Sequence, residues 1–96
     1  MLTRDTILRI LSANRAELAG LGARRLGLFG SFARDEASSG SDVDLVVELD
    51  HHSFDRYMDL KLYLEDLLGR RIDLVLRDRI KPSLRERILG DVIDAA

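Results

Sequence analysis

Between Asp42 and Asp50 the chain reads Val-Asp-Leu-Val-Val-Glu-Leu, and no other stretch limits the fold as tightly. Val43, Leu45, Val47 and Leu49 alternate strictly, the period of a strand with one face in a core. A single strand cannot bury that face, so the remaining sequence must supply partners for it. Residues 26–29 form a short apolar run, and in residues 72–76 Ile72, Leu74 and Leu76 alternate. Helical spacing fills the gaps. Residues 3–19 read as one helix with Ile7, Leu8, Leu11 and Leu18 on a stripe, Thr3 as its cap and Gly20-Leu21-Gly22 as its end. Residues 32–37 suit a short helix, and Ser38, Ser39, Gly40 and Ser41 a flexible loop. Residues 54–68 form a further helix with Phe54, Tyr57, Met58, Leu64, Leu67 and Leu68 inward and Gly69 closing it. Pro82 and Ser83 open a last helix carrying Leu84, Ile88 and Leu89. Helix, strand, short helix, strand, helix, strand, helix is an α/β (α+β) order, with helices packed on a small sheet. The short connection between the first two strands favours a mixed sheet over a parallel one.

Size and charge narrow the partners. The chain has 96 residues, enough for one domain spanning 1–96, and its 46% hydrophobic and 33% charged content is that of a globular protein. A formal net charge of -2 gives no electrostatic footprint for nucleic acid, so an anionic ligand must be held by local geometry or by cations. There is no cysteine, which removes disulfides and thiolate metal sites. Residues 1–9 are charged and lack the apolar core of a secretory signal. No apolar run approaches the roughly 20 residues of a membrane helix, so a cytoplasmic protein with no membrane partner is expected.

Asp42 and Asp44 are the first candidates for chemistry. Residues two apart on a strand project to the same side, roughly 7 Å apart at their α-carbons. Like charges so placed raise each other's pKa, and a divalent cation relieves them; oxygen-only ligands suit Mg²⁺ or Mn²⁺. Asp73 lies on the face of its strand opposite Ile72 and Leu74, so it joins the pair if the two strands are neighbours. Three carboxylates on one face suit two ions about 4 Å apart, the arrangement for in-line displacement at phosphorus. Gly30 and Ser31 follow a strand and open a turn, where glycine lets a phosphate approach the backbone and free N–H groups meet it; Arg34 adds a charge-assisted contact. Each feature has a plainer use: Asp42 as a turn residue, Gly-Ser as a common turn, His51-His52 as a solvated pair, Tyr57 and Tyr63 as ordinary aromatics. The basic positions Arg70, Arg71, Arg77, Arg79, Lys81, Arg85 and Arg87 fit solvated faces. The spacing of the whole set is what points to chemistry.

Leu28-Phe29-Gly30-Ser31-Phe32-Ala33-Arg34 followed by Ser41-Asp42-Val43-Asp44-Leu45 resembles the signature of the nucleotidyltransferase superfamily that includes DNA polymerase beta, poly(A) polymerases and kanamycin nucleotidyltransferase. The likeness is closest to the minimal nucleotidyltransferases, or MNT domains, and runs from the leading helix to Pro82-Ser83-Leu84-Arg85. It implies a polymerase beta-like fold, a triphosphate on Gly30 and Ser31, metals on Asp42 and Asp44, and Asp73 completing the catalytic metal site and helping to activate the acceptor. Mg²⁺, as two ions, and ATP are the implied cofactor and substrate. Minimal members pair with helical HEPN-domain toxins, and the resemblance implies an antitoxin that transfers AMP to a tyrosine hydroxyl of its partner. One departure is Asp35, where family members often carry glycine after the Ala-Arg pair. The rival readings are an antitoxin acting by stoichiometric binding, through an apolar face of Leu84, Ile88, Leu89, Val92 and Ile93, and nucleotidyl transfer to RNA or a small molecule.

Overall fold

The computed structural model describes residues 2–95. The expected leading helix is two: α1 (Arg4–Ala13) and α2 (Arg15–Gly20), broken at Asn14. Thr3 caps α1, accepting from the Thr6 N–H at 3.2 Å. At Asn14 the side-chain amide donates to the Ile10 carbonyl at 2.8 Å, and the backbone leaves helical geometry at φ -109° and ψ 23°. A side-chain amide competing for a helix carbonyl is a general reason for such a break.

Strand β1 (Ala23–Phe29) begins earlier than its apolar run, because Arg24 and Arg25 lie exposed along the pairing with the end of the next strand. Helix α3 (Gly30–Ala33) follows directly, two residues ahead of the expected start. Strand β2 (Val43–Leu49), helix α4 (Phe54–Leu68) and strand β3 (Ile72–Leu76) have the expected bounds. Ser53 caps α4, accepting from the Arg56 N–H at 3.1 Å, and Gly69 ends it in left-handed geometry at φ 64°. A 3₁₀ turn (Arg77–Arg79) leads to α5 (Pro82–Asp91). Strand β4 (Ile93–Asp94) was not expected; two residues carry no period, and it exists through pairing with Gly27 and Leu28.

The sheet order is β3-β2-β1-β4. β2 runs parallel to β3, while β1 runs antiparallel to β2 and to β4, so the sheet is mixed as expected. On one face Leu26, Leu28, Val43, Leu45 and Val47 pack against Ile7, Leu11 and Leu18 of α1 and α2 and against Leu60 and Leu64 of α4. On the other face a smaller cluster of Phe29, Val46 and Ile80 lies under Ile88 and Leu89 of α5. Phe54 is not inward: it is 76% exposed, and Leu60 takes the core position. Phe54 sits six residues before Leu60, about 120° around the helix and off the buried stripe. No helix among the described residues is long and apolar enough to cross a membrane.

Candidate active site

The register of the sheet assembles the carboxylates. In the parallel β2–β3 pair, Asp44 lies opposite Asp73. In-register neighbours on adjacent strands share a face, with about 4.8 Å between strands. That face is turned away from the main core, because Val43 and Leu45 on either side of Asp44 are fully buried in it. Asp42 lies just ahead of β2, two residues from Asp44 and exposed.

The crowding appears in protonation. Burial holds the Asp44 carboxyl up at about 6, and the charges of Asp73 and then Asp42 push the same way, while Arg34 pulls it down. All four side chains are therefore within electrostatic reach of one point, and three carry negative charge. Among the described residues, no three His, Cys, Asp or Glu side chains form a ready-made metal cage. The donor set is nevertheless hard oxygen, and the mutual repulsion at Asp44 is what a divalent cation would relieve; Mg²⁺ ordinarily draws its remaining ligands from water and phosphate.

The second half of the site arrives from β1. Phe29 pairs with Asp44, so the next residue, Gly30, lies against that carboxylate. Gly30 has φ 75°, and a Cβ built there would fall on the carboxylate, 2.8 Å from its carboxyl carbon. Only glycine satisfies both the backbone angle and the close approach. No side chain caps the start of α3, so its first-turn N–H groups are left for another acceptor. Ser31, half-buried, stands in that turn.

Arg34 lies beside the cluster but is already engaged. Its Nε donates to Glu36 at 2.6 Å and its Nη1 to Asp91 of α5 at 2.6 Å, and both bonds raise its pKa. Asp35 has φ 60°, the one non-glycine residue with positive φ among those described, and it is exposed. The departure from glycine therefore falls where the backbone favours glycine, and aspartate is among the residues that tolerate that geometry best. The serine loop contains a hydrogen-bonded turn: the Ser41 N–H donates to the Ser38 carbonyl at 3.1 Å, and the Ser38 N–H to the Ser41 hydroxyl at 2.9 Å.

Several other expectations shift. Arg70 is not on a solvated face: it is half-buried, its Nη1 donates to the Ser41 carbonyl at 3.0 Å, and its guanidinium lies 5.5 Å from the Phe32 ring centroid. Its only sequence signal was its place between Gly69 and the Asp73 strand, which does not distinguish it from Arg71. Arg77 is also withdrawn from water, its side chain 12% exposed beside Glu48. His51 and His52 are exposed as expected, with His52 paired to Asp78 at 2.9 Å. Tyr57 and Tyr63 are ordinary packed aromatics, as expected, with Tyr57 donating to the Leu74 carbonyl at 2.6 Å and Tyr63 to Asn14 at 3.3 Å. The apolar side of α5 is not free, because Ile88, Leu89 and Val92 pack on the second cluster and Ile93 on the main one. Of that set only Leu84 is exposed, at 41%.

Residues 7–95 match the family model described as a nucleotidyltransferase domain. Protein adenylyltransferase MntA of Thermococcus cleftensis is 40% identical over 95 residues, which cover 97% of this chain and 96% of that protein. A solved structure described as a minimal nucleotidyltransferase superposes with a TM-score of 0.83 at 38% identity, covering 96% of this chain and 95% of that one. The complex of tri-AMPylated Shewanella oneidensis HEPN toxin with MNT antitoxin contains a chain that superposes with a TM-score of 0.66 at 16% identity, covering 93% of this chain and 71% of that one. At that identity the last likeness is one of fold. With the sequence, the strand register and the fold in agreement, the chain belongs to the nucleotidyltransferase domain family and has the minimal nucleotidyltransferase fold.

Proposed function

We propose that the chain acts as one domain, 1–96, that transfers AMP from ATP to a tyrosine hydroxyl of a HEPN-type toxin in the cytoplasm and so serves as the antitoxin of that pair. The observation that carries the reading is the pairing of Asp44 with Asp73 and the contact of Gly30 with Asp44, which sets the Gly30-Ser31 turn directly against paired carboxylates. The name of the Thermococcus relative and the AMP-modified HEPN toxin in the Shewanella complex support the choice of acceptor.

In this reading the first-turn N–H groups at Ser31 and Phe32 and the Ser31 hydroxyl hold the triphosphate. Arg34 exchanges Glu36 and Asp91 for phosphate oxygens. Asp42, Asp44 and Asp73 would hold Mg²⁺, one ion or two, and Mn²⁺ fits the same oxygens; the metal supplies charge neutralisation on the triphosphate. The acceptor oxygen attacks the α-phosphorus, the bond to the pyrophosphate oxygen breaks, and pyrophosphate leaves with that electron pair. Asp73 takes the proton of the acceptor hydroxyl at a carboxylate oxygen.

The test is incubation with ATP labelled at the α-phosphate, Mg²⁺ and a HEPN partner encoded beside the gene, followed by peptide mass analysis. AMP on a tyrosine of the partner is expected. Label on RNA or a small molecule in place of the partner, or neutralisation of the toxin with no label at all, would overturn the reading.

A further inference from the structure

Asp42 has a weak hold on the sheet. It stands ahead of β2, exposed, at the end of a turn whose hydrogen bonds run from Ser38 to Ser41 and back. The first ladder bond after it is from the Val43 N–H to the Arg71 carbonyl, at 3.0 Å. These bonds close the turn on itself, and Arg70 is placed to tie it to the rest of the fold. Its Nη1 donates to the Ser41 carbonyl, immediately before Asp42. The same guanidinium lies over the ring of Phe32, immediately after Ser31, and Phe32 is buried in the main core. Arg70 also follows the left-handed Gly69 and leads into the strand that bears Asp73. One side chain thus touches the approach to Asp42 and the exit of the Gly30-Ser31 turn, and its backbone belongs to the approach of Asp73.

We infer that Arg70 is a positioning residue, which fixes Asp42 relative to the Gly30-Ser31 turn and to Asp73. This rests on the transfer reading above for its consequence in catalysis, though not for its consequence in structure. The residue type suits the task. A planar guanidinium can lie on an aromatic ring while its edge donates a hydrogen bond; an ammonium has no flat face and holds its donors on a flexible stem, so it fixes the two contacts less firmly. The contact is half-buried, where a hydrogen bond is less exposed to competition from water. A misplacement of about 1 Å in a catalytic constellation can cost about 100-fold in rate, so a clamp of this kind governs turnover more than ground-state affinity. A plain electrostatic role for Arg70, attraction of the triphosphate by its charge, would act on KM instead.

The experiment compares the full-length wild type with Arg70→Met and Arg70→Lys. Methionine keeps an apolar stem on Phe32 and removes donor and charge, so the fold is retained. Lysine keeps the charge and N–H donors but lacks the planar guanidinium. Amide hydrogen exchange is measured without metal or nucleotide, and transfer kinetics with Mg²⁺, ATP and the acceptor protein. In Arg70→Met, exchange at Ser41 and Val43 is expected to quicken by about 5-fold or more, with α1 and α4 unchanged. Its kcat is expected to fall about 30-fold, with KM for ATP within about 3-fold of wild type. Arg70→Lys should recover part of the kcat and part of the exchange protection. Unchanged exchange at Ser41 and Val43 overturns the clamp, as does an unchanged kcat. A loss confined to KM and fully restored by lysine also overturns it, in favour of simple charge attraction. If the wild type transfers nothing to any acceptor, the functional reading fails, and the exchange data alone then decide the clamp.

Discussion

The two faces of the sheet are built from alternate residues of the same strands, and they do different things. On the face under α1, α2 and α4, strand β2 contributes Val43, Leu45 and Val47, all fully buried. On the face under α5 it contributes Asp44, Val46 and Glu48, of which only Val46 is in a core. One face gains apolar burial along its length. The other has a small apolar patch under α5 and, at the start of β2 and β3, a carboxylate cluster that repels itself. A short domain has little stability to lose, so the large core opposite is what permits the strained end of the other face.

The two faces differ most sharply at Gly30, where the end of β1 meets Asp44 of β2. Gly30→Ala places a Cβ on the Asp44 carboxylate and an alanine at φ 75°. Transfer is expected to fall about 100-fold through displacement of that carboxylate, with a stability loss of about 1–2 kcal/mol from the left-handed backbone. A near wild-type kcat would mean that the carboxylate moves freely, and the tight fit would lose its meaning. The opposite face should give the reverse pattern. Leu64→Ala, in α4 and fully buried, is expected to cost about 3 kcal/mol in a denaturant titration while kcat of the folded fraction stays within about 3-fold. A drop in kcat comparable to that of Gly30→Ala would show that the faces are not separate.

A smaller effect follows from Asp44 itself. Its carboxyl is raised from 3.8 to about 6, so the folded chain binds that proton more tightly than the unfolded one. The associated stability is complete below the unfolded value and is lost as pH rises through about 6. Without metal, the fold should therefore be weaker at pH 8 than at pH 4 by about 1 kcal/mol on this account, after allowance for water screening. The check is the difference between wild type and Asp44→Asn across that range, since acids remote from this cluster contribute alike to both. Smallest of all is Asp35→Gly, expected to raise stability by about 0.5–1 kcal/mol by removing a side chain from left-handed backbone, with little change in kcat. A loss of stability would assign the Asp35 side chain a contact that its exposure does not suggest.

The parts of the molecule legible in the sequence are those where one face is buried over several residues. Strand β2, helix α4 and strand β3 have strong periods, and their bounds are as expected. Asp44 and Asp73 were readable for the same reason, as charges on the wrong beat of an apolar alternation. Strand β4 was not readable, because two residues have no period and their pairing with β1 is a tertiary fact. Nor was the break at Asn14, which depends on which carbonyl its side chain finds. The role of Arg70 was hidden because Ser41 and Phe32 are far from it in sequence and come together only once the sheet forms. Arg34 was expected to make a charge-assisted contact to the phosphates; the fold gives it two carboxylate partners, and sequence spacing cannot connect it to the one on α5, Asp91.

The most direct test of the account is Asp44→Asn, measured twice on the same preparation. The first measurement is thermal melting at pH 8 with metal chelated, and the second is transfer from ATP to the partner protein with Mg²⁺. If Asp44 is a charge held in place for chemistry at a cost to the fold, melting should rise by about 4 °C while transfer falls by about 1,000-fold or more. A fall in melting temperature would make Asp44 a structural residue. Transfer that persists would show that the paired carboxylates are not the transfer centre.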